Sequence, residues 1–191
     1  MDRPPRRPTD PPGSRGLLRR KLKTLDYSGP VTYHRVLGLD LPKDELAYLD
    51  DLAFDRTYRG QHDVMYGRHG RLVEARAGSA LGGYAFGLPL GHDDDEETEW
   101  FIDTVAVAPV LQGRGLGARL VGHLARWLEG EGVQSVTATP LVGPDEDRRE
   151  RWLCSLGFEE GNYPLVARTR VLAKLNQEGP TQDREIGQPD H

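Results

Sequence analysis

A run of β-branched and aromatic residues, WFIDTVAVAP from Trp100, passes through Val110 and Leu111 into QGRGLG and straight on into an amphipathic segment. No other stretch of the chain limits its fold as tightly. A strand that hands over to a helix through three closely spaced glycines, Gly113, Gly115 and Gly117, makes a corner of an α/β sheet. Missing side chains leave main-chain N–H groups bare at the helix N-terminus, where the helix dipole adds partial positive charge. Such a corner suits an anion, and a nucleotide-like diphosphate is its natural ligand.

The rest of the chain supplies the sheet around that corner. VTYHRVLGL, Val31 to Leu39, predicts a first strand, and Leu41 to Phe54 carries Leu46, Leu49, Leu52 and Ala53 at helical spacing. Arg71 to Ala77 and Leu81 to Leu88, joined by a turn at Gly78, read as a hairpin, and the acidic HDDDEETE leads on to Trp100. Beyond the glycines, Leu116, Leu120, Leu124, Trp127 and Leu128 share one helical face while Arg119, His123 and Arg126 share the other, so this helix has a buried and a wet side. Val133 to Ala138 predicts another strand and Asp145 to Leu156 a short helix. Gly157 and Phe158 open a closing strand pair that ends in LVARTRVLAKL. The order is βαβββαβαββ, an α/β domain with a mixed sheet.

A chain of 191 residues with 37% hydrophobic content fits one domain, in which about 150 ordered residues bury roughly 70% of the unfolded surface. Residues 1–29 are dense in proline and arginine and, apart from Tyr27, offer no aromatic, valine or isoleucine to anchor a core, so they read as a disordered basic arm, with docking to an anionic partner or membrane surface as the alternative. Residues 30–175 form the domain, and NQEGPTQDREIGQPDH, 176–191, reads as a second disordered tail. A formal net charge of -5 argues against a nucleic-acid partner. No apolar run is long enough for a membrane, and the twin arginines at Arg6-Arg7 and Arg19-Arg20 precede no hydrophobic leader segment. Cys154 stands alone, which forbids an internal disulfide and a multi-thiolate zinc site and predicts a cytoplasmic, reducing location. His34, His62, His69, His92 and His123 show neither HxH nor HExxH spacing, so no metal site is expected.

Gly113-x-Gly115-x-x-Ala118 also satisfies the loose dinucleotide fingerprint. Against it, four residues from Pro109 to Gln112 separate strand and glycines, and the next strand, QSVTATP, ends without the acid that holds a ribose. The phosphate loop GxxxxGK[ST] does not occur. VAVAPVLQGRGLG followed by ARLVGHL closely resembles motif A of the GNAT superfamily of acyl-CoA N-acyltransferases, whose Q/R-x-x-G-x-G/A is matched by Gln112, Gly115 and Gly117. WLCSLGF, Trp152 to Phe158, looks like that family's closing helix and turn. The resemblance runs from about Val31 to Leu175 and includes neither tail.

What the resemblance implies is a mixed, splayed β-sheet flanked by helices, with acetyl-CoA as co-substrate. Its diphosphate would lie on Gln112, Gly113, Arg114, Gly115, Leu116 and Gly117, and its pantetheine arm along Val105, Ala106 and Val107. A strand splayed from its neighbour has unpaired N–H and C=O groups that the arm's amides can meet. Arg114 and Arg119 either add charge there or are simply solvated. The acceptor is a small-molecule or peptide amine, with a homodimer and a monomer both open.

An amine of pKa about 10.4 is neutral in only about one molecule in a few thousand at pH 7, so supplying the nucleophile costs about 4 to 5 kcal/mol and calls for a base or a water relay. Asp103 is the candidate, on the same alternating face as Phe101, Val105 and Val107; its structural alternative is a hydrogen bond to a loop. Main-chain N–H groups around Val105 to Val107 would hold the developing oxyanion. Related proteins place a tyrosine four residues before the glycine of Leu-Gly-Phe to protonate the thiolate, and here that residue is Leu153. Cys154, Tyr163 or water are the substitutes, although Cys154 also fits a small packed residue. Asp145-Glu146-Asp147 stands where the family has an asparagine. Asp93 to Glu97 would attract a cationic acceptor or simply be solvated, and Tyr58 with Asp55 to Gly60 falls where the family gathers acceptor contacts. The alternatives are a non-catalytic acyl-CoA-binding module and a dinucleotide-binding oxidoreductase.

Overall fold

The computed structural model describes residues 26–37, 42–54, 70–90, 99–161, 163–176 and 184–185. The greater part of the basic arm, Asp55 to Gly60 with Tyr58, His62, His69, His92, Asp93 to Glu97 and nearly all of the C-terminal tail lie outside the described residues.

The strands are β1 (Val31–Leu37), β2 (Arg71–Ala77), β3 (Ala80–Pro89), β4 (Trp100–Val107), β5 (Ser135–Ala138), β6 (Leu165–Arg168) and a two-residue β7 (Arg184–Glu185). The helices are α1 (Lys43–Ala53), α2 (Leu116–Gly130), α3 (Glu146–Leu156) and a single turn α4 (Thr169–Leu172). They build one mixed sheet in the order β6-β5-β4-β3-β2-β1-β7, antiparallel except where β4 meets β5 and β1 meets β7. This is the α/β architecture expected from the sequence. β3 lies at its centre and is buried along all but its last residue, because α2 covers one face and α1 packs against the same strand. Leu120, Leu124 and Leu128 of α2 are fully buried, as are Leu46 and Leu49 of α1, Tyr84 and Phe86 of β3, and Leu165 of β6.

Polar pins hold α1 in place. Arg76 of β2 lies 2.7 Å from Glu45 of α1 and 2.7 Å from Glu74 on its own strand, and the buried Tyr84 hydroxyl donates to Asp50 of α1. At the far end of α2, Arg71 sits 5.6 Å from the centre of the Trp100 ring and 5.4 Å from that of Trp127, while its Nε donates to Glu131 at 2.9 Å.

The last part of the domain departs from the strand pair expected there. One arm is a single bridge between Glu159 and Val166, and the run from Thr169 to Asn176 is helical. Thr169 stops β6: its N–H donates to Gln134 O at 3.0 Å and its hydroxyl to Val133 O at 2.6 Å. Thr169, Leu172, Ala173 and Asn176 are then all buried, an i, i+3, i+4, i+7 set that only a helical turn can put on one side. That turn docks on α2, where Asn176 Nδ2 stands 3.1 Å from His123 Nδ1 and Arg126 donates to Ala173 O at 3.3 Å. His123 is therefore buried, stacked on Tyr33 of β1 at 4.1 Å, although the sequence places it on the wet face of α2.

Candidate functional site

Two irregularities of β4 coincide at one residue. β4 pairs with β5 over only three positions, the last being Ile102 with Ala138. On its other side the register with β3 slips there, since Gly87 opposes Ile102 and Phe86 opposes Thr104, which leaves Asp103 as an extra residue in a bulge. From Asp103 onward β4 has, among the described residues, a neighbour on the β3 side and none on the β5 side.

The groups facing that open side follow from strand alternation. Ala108 N–H donates to Gly82 O at 2.9 Å, so Ala108 and, two residues back, Ala106 direct their main-chain groups towards β3. Val105 and Val107 therefore direct theirs into the gap. Gln112 Nε2 donates to Val107 O at 3.0 Å, which takes up one of these groups and draws the loop after β4 back over the strand end. Among the described residues the N–H and C=O of Val105 and the N–H of Val107 remain available to an extended ligand.

The glycine corner follows directly. Pro109–Leu111 forms a short 3-10 turn, then Gly113 and Gly115 take φ values of 75° and 74°. Side chains rarely adopt that left-handed region, which is why glycine stands at both positions. A Cβ at either would touch nothing within 4 Å among the described residues, so these leave the space above both glycines open. Gly115 C=O accepts the Arg119 N–H at 3.1 Å and opens α2, and no side chain caps the first turn, so the N–H groups of residues 116 to 118 lack intrahelical partners. Arg119 Nη2 donates to Arg114 O at 3.0 Å, which holds a guanidinium against the corner. Bare N–H groups, a helix dipole and that charge together favour an anion above the corner.

Gly117 differs from the other two. Its φ is ordinary, and a Cβ there would lie 3.2 Å from Cζ2 and 3.8 Å from Cη2 of Trp152, with Val105 Cγ1 3.8 Å away. Its missing side chain makes room for an indole that reaches from α3 to the first turn of α2. Sequence reasoning assigned Trp152 no role of its own; a glycine inside a helical repeat, where it costs stability, signals that a bulky neighbour needs the space.

Of the expected acid–base groups, Asp103 is half-buried at the bulge, where Oδ2 accepts the Thr104 hydroxyl at 2.6 Å. Thr104 is a second residue that sequence reasoning missed. Leu153 is buried. Cys154 lies two residues beyond Trp152, about 200° further round the helix. Burial, then the charges of Glu160 and Glu150, push its thiol above the ordinary range. The Tyr163 hydroxyl donates to Glu150 at 2.7 Å, and that bond, followed by burial, pushes the phenol up to about 12. The structure thus gathers Asp103, Val105, Val107 and the glycine corner along one gap, and sets Cys154 beside Glu150 and Glu160 instead. Among the described residues no group of three or more His, Cys, Asp and Glu side chains is arranged to hold a metal ion, and no helix is long and apolar enough to cross a membrane.

Comparison with known proteins meets the same segment. Residues 63–158 match the sequence profile of the acetyltransferase (GNAT) family, half of the 191-residue chain. The N-alpha-acetyltransferase RimI of Mycobacterium tuberculosis is 31% identical over 121 residues, covering 63% of this chain and 70% of that protein. Among solved structures, a GNAT-family protein from Desulfovibrio desulfuricans superposes with a TM-score of 0.59 at 18% identity, covering 73% of this chain and 99% of that one. An aminoglycoside acetyltransferase from an uncultured soil metagenomic sample gives 0.55 at 17% identity, over 70% and 93% of the two chains.

Proposed function

Since this chain belongs to the acetyltransferase (GNAT) family, we propose that it is an N-acetyltransferase that moves the acetyl group of acetyl-CoA to a primary amine by direct attack. One observation carries the reading: the gap along Val105 and Val107 runs into the uncapped, doubly left-handed glycine corner. A diphosphate joined to an amide-bearing arm fits both halves of that shape. When bound, acetyl-CoA supplies a thioester carbonyl open to a neutral amine. Gly113 to Gly117 and Arg119 hold the anionic end, and Val105 and Val107 pair with the arm's amides as a neighbouring strand would. The Val105 N–H also offers a fixed donor to the carbonyl oxygen as charge builds on it, an effect typically worth about 3 kcal/mol. Asp103, next to that segment, takes the amine's proton or orients the water that does, with Thr104 fixing its carboxylate.

The RimI relative makes a peptide α-amine the first acceptor to try, ahead of other peptide or small-molecule amines. The second reading, a non-catalytic acyl-CoA-binding module, rests on Leu153, a buried leucine that cannot donate a proton. Thiol release from acetyl-CoA, followed against a panel of peptide and small-molecule amines, separates the two. Amine-dependent release is expected. Tight acetyl-CoA binding with no release from any amine would replace the transferase with the binding module, and the absence of binding would remove both.

A further inference from the structure

We propose that the Trp152 indole is a wall of the acyl-CoA groove and packs directly against the pantetheine arm. This rests on the acyl-CoA reading above. Three observations converge on the indole. First, it crosses from α3 to α2, with Cζ2 and Cη2 set against the bare face of Gly117. Second, Val105 Cγ1 borders the same notch, so the indole edge and the residue whose main-chain groups face the gap meet at Gly117. Third, α3 itself is tied down beside the gap, because Arg149 donates to Leu141 O at 2.9 Å in the segment that follows β5. A chain running from the glycine corner along Val105 passes between β4 and the loop after β5, and Trp152 is the large apolar surface on that route.

The indole is only partly buried. It makes no hydrogen bond with its side chain among the described residues, so its N–H is available to an amide carbonyl of the arm. Tryptophan combines a large apolar face with that single donor, a pairing suited to an arm that alternates methylenes and amides. Trp100 and Trp127, by contrast, are engaged with Arg71 at the other end of α2. A ligand in the groove therefore changes the surroundings of one of the chain's three tryptophans.

The test is a titration of the full chain with acetyl-CoA, read by tryptophan emission and, in parallel, by calorimetry. For the unaltered chain, emission is expected to shift with the same midpoint as the heat. Trp152→Phe keeps most of the packing and should lose the emission change while binding at most about threefold more weakly; Trp152→Ala should weaken binding about tenfold, and raise KM for acetyl-CoA with KM for the amine unchanged. Circular dichroism establishes that both variants are folded. If Trp152→Phe shows the same emission change as the unaltered chain, or if folded Trp152→Ala binds within twofold of it, the indole does not line the groove, although the acyl-CoA reading stands. If the unaltered chain gives no heat with acetyl-CoA, that reading fails and this inference falls with it.

Discussion

Gly115→Ala separates what the glycine corner does for the fold from what it does for a ligand. With φ at 74°, an alanine there meets the left-handed penalty of L-residues, roughly 1 to 2 kcal/mol. Among the described residues no steric term adds to it, since none has an atom within 4 Å of the new Cβ. For a chain of 191 residues that corresponds to a fall in Tm of about 2 to 8 °C, at about 2 to 4 °C per kcal/mol. The effect on binding should be larger. The methyl group would project into the space assigned to the diphosphate and disturb at least one charge-assisted N–H contact worth about 1.5 to 3 kcal/mol, a weakening of roughly 10- to 150-fold. Gly113→Ala, at φ 75° with equally open surroundings, is the natural companion. Urea denaturation gives the stability change and calorimetric titration with acetyl-CoA the affinity. A folded Gly115→Ala protein that binds acetyl-CoA within threefold of the unaltered chain would refute the cradle. A stability loss above about 4 kcal/mol would show instead that the corner is packed against protein.

Asp103→Asn should lower kcat/KM by about 10²- to 10⁴-fold near neutral pH, with the deficit shrinking as pH approaches the acceptor's pKa and neutral amine becomes plentiful; an unchanged pH profile removes Asp103 from the mechanism. Arg71→Ala should cost about 1 to 2 kcal/mol, because it removes contacts to two indoles as well as an ion pair, whereas Glu131→Gln should cost only about 0.5 kcal/mol. Equal losses in urea denaturation would mean that the rings contribute nothing. Tyr163 should ionise near 12, and Glu150→Gln should bring it back towards 10.0 in an ultraviolet phenolate titration. Its folded pKa is raised, so the stabilisation it brings is complete below pH 10.0 and is lost as pH climbs through about 12. An unmoved Tyr163 transition would show that the hydrogen bond is not its cause.

The glycine corner and the α2 stripe were legible in the sequence because each is a local pattern: φ-demanding glycines at fixed spacing, and leucines at 116, 120, 124 and 128. The bulge at Asp103 was not, since it depends on how Gly87 and Phe86 of another strand register against β4. Cross-strand register has no signature in either strand alone. His123 illustrates the same point. Its place among Arg119 and Arg126 signals solvent, yet the turn ending at Asn176 covers it, and nothing near residue 123 announces a segment 53 positions away. The strand expected after Arg168 failed for a different reason. TRVLAKL offers both a β-branched run and a helical set, and the hydrogen bonds from Thr169 to the segment before β5 decide between them. Trp152 could be read as a core residue of α3, but its partner, Gly117, lies on another helix.

Only three residue pairs join β5 to β4, so the sheet consists of two leaves with a short hinge: a broad one from β1 to β4 and a narrow one of β5 and β6. The narrow leaf is held by that hinge and by the α4 turn, which follows β6 and packs on α2. Whatever fills the wedge acts as a splint, adding ladder bonds that β5 does not supply and fixing the angle at which the leaves meet. Hydrogen exchange in the short hinge strands should accordingly slow far more on ligand binding than exchange in the already rigid centre of the broad leaf.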